Sequence, residues 1–308
     1  MEWTAGRLAR YAQWSTRRRY NDLRRRVSVA YARIAYWLPV GDPDFIGIGA
    51  ARTASTWLYN RLSLHPDVCL SKKKEIHFFD VQEGEGRWVY GPDAIGPSLS
   101  QLDIENPYHW RWYRSQFGHC KAGLIGEFTP DYSLLGTDRI AIVKEHLPNL
   151  KLIYVLRDPI TRAWSSVRKE LWWRFRMRPH ELHCPETLLR MSMRPGILAR
   201  GDYMSTILRW ETHYQGRLLY LFYDDIIASP RNALYQVCNF LGLDRSPFDT
   251  THDHATRVNE APNDDIPNEI RVALENFYAP QYPFLKEKFG HSLPNWFAAP
   301  QRPTPRSS

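Results

Sequence analysis

The sequence predicts an α/β fold: a single domain built on a parallel sheet, with a basic helical arm ahead of it. Short apolar runs alternate with longer helical patterns, as repeated strand–helix–strand units require. The length of 308 residues suits one large core with terminal additions, since single cores stop growing near ~250–300 residues. Charge is segregated. Residues 1–38 hold nine arginines against Glu2 and Asp22, so most of the net charge of +8 belongs to the leader and the rest is close to neutral.

The elements follow in order. The arm, 1–43, interleaves Trp3, Tyr11, Trp14, Tyr20, Tyr31, Tyr36 and Trp37 with arginine and reads as one or two amphipathic helices. It either packs its aromatic side on the domain or adsorbs to an anionic membrane through residues 1–38. No recognition motif accompanies the charge, so nucleic acid is not expected as a partner. Val27 to Val40 is too short for a membrane span and contains Arg33, and no small-residue cleavage site follows it.

The domain proper spans 44–299. Phe45 to Gly49 reads as a buried strand, followed by a helix carrying Trp57, Leu58, Leu62 and Leu64 that stops at His65-Pro66. Val68 to Leu70, Gly123 to Gly126, Lys151 to Leu156 and Arg217 to Phe222 are further strands, with a helix around Ile140 to His146. A helix from Ser229-Pro230 to Leu241 ends at Gly242. The region from 246 to Pro267 is polar and irregular, a helix covers Glu269 to Tyr278, and a Pro-rich tail follows, with 300–308 disordered. Cys69, Cys120, Cys184 and Cys238 show no metal-ligand spacing and read as reduced thiols, hence a cytoplasmic protein, membrane-peripheral if the arm adsorbs.

Two segments carry chemistry. The first strand runs into Gly49-Ala50-Ala51-Arg52-Thr53-Ala54-Ser55-Thr56 and then a helix. Small and hydroxyl residues with one cation at a helix N-terminus make a phosphate cradle. It is not a Walker A loop, and Ser55 as a plain N-cap is the bland alternative. The second is Arg157-Asp158-Pro159 at the end of the most hydrophobic strand, with Arg162 and Ser165 beyond it. Ligands in open α/β sheets bind beyond the carboxyl ends of the strands, so Arg157 shares an edge with the first loop and can grip a second phosphate with Ser165. An Arg–Asp pair that only anchors a turn is the alternative.

Taken together, these segments resemble those of sulfotransferases that use 3′-phosphoadenosine-5′-phosphosulfate (PAPS). The first loop is similar to their 5′-phosphosulfate loop, and Arg157 through Ser165 to their 3′-phosphate motif. Lys74-Glu75-Ile76-His77-Phe78-Phe79-Asp80 resembles a segment of the heparan-sulfate and other glycan enzymes and their bacterial relatives. Leu64-His65-Pro66, Gly126-Glu127, Thr129-Pro130-Asp131-Tyr132, Gly201-Asp202-Tyr203 and Phe240-Leu241-Gly242-Leu243 extend the likeness over about 45–245. The resemblance implies a P-loop-like sheet flanked by helices, with PAPS as co-substrate, PAP as product and no metal. It implies Arg52, Thr53, Ala54, Ser55 and Thr56 on the 5′-phosphosulfate, and Arg157, Ser165 and Arg257 on the rest of the nucleotide. Glu75 is implied as general base, with His77 and Asp80 as polar partners that orient it or the acceptor. Asp80, Phe128 and Thr129 are implied on the acceptor side.

Two positions depart from the pattern. Arg52 stands where the family's loop has lysine; an arginine stays charged and stabilises a leaving phosphate without giving it a proton. Phe128 stands where glycan enzymes often carry lysine before Thr-Pro. The chemistry expected is in-line transfer of a sulfuryl group to a hydroxyl or amine of a carbohydrate, lipid or small alcohol. The alternatives are a nucleotide-dependent phosphotransferase and a noncatalytic PAPS-binding or membrane-associated protein. Lys169 to Arg178, with Trp172, Trp173 and Phe175, reads as an acceptor or membrane contact or as a partly buried helix end. His252 and His254 around Asp253 read as a solvated loop.

Overall fold

In the computed structural model, residues 41–80, 104–105, 107–182, 184–249 and 265–294 are described. Residues 1–40 of the arm, Arg257, the His252–His254 loop and the 300–308 tail all lie outside them.

The strands β1 (Phe45–Gly49), β2 (Val68–Leu70), β3 (Leu124–Phe128), β4 (Lys151–Leu156) and β5 (Leu218–Phe222) form one parallel sheet in the order β2-β3-β1-β4-β5. Every strand is short and apolar because helices cover both faces. Side chains alternate across the pleat. Ile46, Ile48, Leu152, Tyr154 and Leu156 enter one core with α3 (Thr137–His146) and α7 (Tyr203–Tyr214), which contribute Ile140, Val143, Tyr203, Ile207, Trp210 and Tyr214. Phe45, Phe128, Ile153, Val155 and Leu221 enter the opposite core. There they meet Trp57, Leu58 and Leu62 of α1 (Ser55–Leu62) and Leu234, Val237 and Leu241 of α9 (Pro230–Leu241). A third cluster sits under α4 (Pro159–Phe175), where Ile160, Trp164, Val167 and Leu171 pack on α5 (Pro185–Ser192) and α10 (Asn268–Tyr278).

The remaining helices are α2 (Pro107–Ser115), α6 (Pro195–Ala199), α8 (Tyr223–Ala228) and α11 (Tyr282–Phe289). Gly242 ends α9 at φ +82°, the left-handed cap its sequence promised.

Several expectations change. The first helix stops at Leu62, and Leu64 is exposed. The Pro-rich segment after Tyr278 folds as a 3-10 turn and α11, because Pro280 and Pro283 occupy first-turn positions where no amide is needed. Among the described residues, no helix is long and apolar enough to cross a membrane. The reduced-thiol reading fails for two cysteines: Cys69 and Cys120 form a disulfide with Cα atoms 5.7 Å apart. Strand β2 and the turn after α2 bring them together, a juxtaposition that a separation of 51 residues conceals. The bond removes two of the four thiols on which a reducing compartment was inferred; Cys184 and Cys238 remain free.

Candidate active site

The carboxyl ends of β1 and β4 are adjacent, and the chain leaves them in opposite directions along the sheet, toward β2 and toward β5. That is where an open α/β sheet binds ligands. The loop after β1 tightens at Thr53, whose hydroxyl donates to the Ala50 carbonyl at 2.5 Å. Ala54, in the left-handed region, occupies the N-cap of α1, so Ser55 is the first helical residue and not the cap. The first intrahelical bond runs from Leu58 N to Ala54 O. The amides of Ser55 and Thr56 precede it and have no helical carbonyl to meet, as an anion site needs.

The second motif closes onto this loop. Arg157 Nη1 donates to the Arg52 carbonyl at 3.0 Å, its Nε to Thr161 Oγ1 at 3.3 Å, and its guanidinium lies 4.3 Å from the Tyr223 ring centre. Arg52 Nε donates to Ser165 Oγ at 3.0 Å. Asp158 accepts from Ile160 N and caps α4, so its carboxylate serves the helix and Arg157 is not held in a turn-anchoring pair. Neither Arg52 nor Arg157 has a carboxylate partner among the described residues. Burial, then the charges of Arg157 and Arg168, pull the Arg52 guanidinium down to about 10. It stays charged at neutral pH, but the crowding is a repulsion that a bound anion relieves.

Beyond β2 the chain folds back onto β3, where Glu75 N donates to the Phe128 carbonyl at 3.0 Å. The segment is not extended. Glu75 and His77 adopt φ +63° and +56°, so they do not share a face by strand alternation. The backbone twist instead brings His77 Nε2 to 3.9 Å from Glu75 Oε2 while His77 Nδ1 meets Asp80 Oδ2 at 2.7 Å. Lys74 Nζ contacts Glu75 Oε1 at 2.5 Å. Burial alone would lower the His77 ring; Asp80, with help from Asp131 and Glu75, outweighs it and raises the pKa. Phe78 and Phe79 anchor the segment in the core. Tyr132 OH accepts from Phe78 N at 3.0 Å, and Arg139 Nε donates to the Phe79 carbonyl at 2.8 Å.

Two acceptor-side expectations are corrected and a third is narrowed. Phe128 is 1% exposed and packs against Phe45 and Tyr59, because its position on β3 points into the sheet core. Thr129 is fully buried and its hydroxyl donates to Glu127 Oε2 at 2.9 Å. Of the two roles expected for Asp80, its burial and its bond to His77 fit orientation of the Glu75–His77 pair and not contact with an acceptor. Glu127 also accepts from Tyr113 OH at 2.7 Å. Burial pushes its carboxyl up to about 7 although those hydrogen bonds pull the other way.

Sequence reasoning missed Asp131 and Arg200 as a pair at 2.7 Å, and it left Lys169 in an undecided tract. Spacing could have found Lys169, four residues after Ser165 and so on the same helix face. His77, Asp80 and Asp131 also place ligand-type atoms within 4.8 Å of one another, as do Cys69, His119 and Cys120; the first set contains the His77–Asp80 hydrogen bond and the second the disulfide.

Residues 43–247 match the model of the sulfotransferase family. Mouse heparan sulfate glucosamine 3-O-sulfotransferase 3B1 is 27% identical over 212 residues, covering 66% of this chain and 47% of that protein. A bifunctional heparan sulfate N-deacetylase/N-sulfotransferase 1 of Caenorhabditis briggsae is 22% identical over 225 residues, covering 68% and 23%. The chain thus spans about half the length, or less, of these curated relatives. A sulfotransferase structure from Alicyclobacillus acidocaldarius superposes with a TM-score of 0.61 at 23% identity, over 83% of this chain and 99% of that one, a likeness of fold. With the matched segment running from the start of the sheet through α9, the chain belongs to the sulfotransferase family.

Proposed function

We propose that this protein transfers a sulfuryl group from PAPS to a hydroxyl or amine, with a carbohydrate as the acceptor. The observation that carries the reading is the knot of Arg52, Arg157 and Ser165 at the β1 and β4 ends, with no carboxylate partner for either arginine among the described residues, and Glu75 beside the neighbouring β3 end. The loop amides, Ser55 and Thr56 would hold the 5′-phosphosulfate, and Arg157 with Ser165 the 3′-phosphate. The bound donor supplies an activated sulfur; the chain's own residues position it, neutralise charge and take a proton. Glu75 stands as the base that receives the acceptor's proton. Asp80 fixes His77 through Nδ1, and the other ring nitrogen of His77 stands 3.9 Å from Glu75, where it orients that carboxylate. The carbohydrate reading draws on the relatives, whose names specify heparan sulfate, with both O- and N-transfer among them.

Calorimetry with PAP and AMP tests the nucleotide assignment. PAP should bind far more tightly, and Arg157→Ala should cost about 2–5 kcal/mol of PAP affinity. Equal affinities for PAP and AMP would overturn it. Labelled PAPS incubated with heparan-type and other oligosaccharides, followed by mass spectrometry, tests the transfer. Turnover that demands ATP and Mg²⁺ instead would favour a phosphotransferase.

A further inference from the structure

The loop cation of this chain is an arginine, which stays charged at neutral pH, and a lysine lies within reach of the same cleft. Lys169 is one turn beyond Ser165 on α4, and side chains four apart on a helix are neighbours, with Cβ atoms about 5–6 Å apart. Ser165 is the residue that Arg52 touches. The charges that act on the Lys169 ammonium come from three separate elements: Arg52 after β1, Lys74 and Glu75 after β2, and Asp131 after β3. The carboxylates nearby are engaged elsewhere. Glu75 meets Lys74, Asp131 meets Arg200, and Glu170 on the same helix meets Arg174 and Arg194. Lys169 makes no hydrogen bond or ion pair with any described residue.

We propose that Lys169 is a catalytic residue: it extends between the donor cation Arg52 and the base Glu75, onto the group being transferred. This rests on the sulfuryl-transfer reading above. In the step it serves, the acceptor oxygen forms a bond to sulfur while the bond from sulfur to the 5′-phosphate oxygen breaks. The electron pair stays on that phosphate oxygen, and the acceptor's proton passes to Glu75. The Lys169 ammonium offsets negative charge on the sulfuryl oxygens and holds a proton against the departing phosphate oxygen. The Lys169 side chain is exposed; partial desolvation, then the Arg52 charge, lower its ammonium from the usual lysine value, against the opposing pull of Glu75 and Asp131. That direction makes the proton easier to share.

The test uses the full chain, labelled PAPS with heparan-type oligosaccharides or water as acceptor, and PAP calorimetry. Lys169→Ala should lower kcat about 10²-fold or more while PAP affinity changes by no more than a few fold. Restoring a loop lysine in that background, as Arg52→Lys with Lys169→Ala, should recover at least about tenfold, which a purely structural role would not produce. Lys169→Arg should keep the charge yet lose part of kcat. A reading independent of turnover is the Lys169 side-chain NMR titration, which PAP should move to higher pH. Full kcat in Lys169→Ala, no recovery with Arg52→Lys, or an ammonium indifferent to PAP would overturn the assignment. If the unaltered protein fails to bind PAP, the sulfuryl-transfer reading falls as well. If it binds PAP and Lys169→Ala turns over normally, only the lysine's role falls.

Discussion

Glu75 and His77 sit two residues apart but under different constraints. Glu75 is substantially exposed and held by Lys74, whereas His77 is mostly buried and held by Asp80. A base must meet the acceptor, so exposure favours Glu75, and a buried ring bonded to a carboxylate suits orientation. Glu75→Gln should lower kcat by about 10²–10⁴-fold with PAP affinity little changed, and His77→Ala should cost less. Normal turnover in Glu75→Gln beside a dead His77→Ala would reverse the roles. Glu127 makes a separate prediction at this scale. Its carboxyl is raised to about 7 in the folded chain from an ordinary 4.5, so the folded state holds a proton that the unfolded state has released. Its contribution is therefore fully present below about pH 4.5 and lost as pH rises to about 7, by at most ~3 kcal/mol. Urea unfolding across that window should show the decline, and Glu127→Gln should flatten it. An unchanged slope in the variant would assign the decline to other groups, His77 among them.

Strand β2 is three residues long and lies at the sheet edge, yet it leads directly into the segment bearing Glu75 and His77. The Cys69–Cys120 bond ties that strand to the turn after α2. Closing a loop of this size removes unfolded-state entropy worth up to about 4 kcal/mol in the chain-entropy model. Cys69→Ser should accordingly lower unfolding stability by about 2–4 kcal/mol, and thiol alkylation of the denatured, unreduced protein should label Cys184 and Cys238 alone. Labelling of all four would remove the bond from the account. Packing between β1 and β3 is equally specific. A Cβ on Gly47 would lie 2.0 Å from the Phe128 ring, so Gly47→Ala should cost at least the ~1–3 kcal/mol typical of overpacking. Gly47→Ala with Phe128→Leu should recover part of the loss if the ring is the obstacle.

At the scale of the whole molecule the charge is lopsided, with nine arginines within residues 1–38. Each basic residue near an anionic surface is worth about 1 kcal/mol, and the interleaved aromatics suit the interface. We propose that this arm adsorbs to anionic membranes. Removing residues 1–38 should abolish sedimentation with phosphatidylserine vesicles at moderate salt and leave PAP calorimetry unchanged. Equal sedimentation of both forms would end the proposal.

Much of the architecture was legible because it depends on local pattern. Apolar runs of five or six residues marked β1, β4 and β5, and small residues after β1 with Arg157-Asp158-Pro159 after β4 marked the binding edge. Lys74 to Asp80 marked the candidate chemistry. What local pattern could not supply was direction and partnership. Whether Phe128 and Thr129 face an acceptor or the core depends on which strands flank β3. The approach of Glu75 and His77 needs left-handed backbone that no alternation rule predicts. The Cys69–Cys120 bond and the convergence of Arg52, Ser165 and Arg157 join residues far apart in the chain. Sequence spacing fixes neighbours along an element, whereas contacts between elements are decided by the order in which the strands assemble.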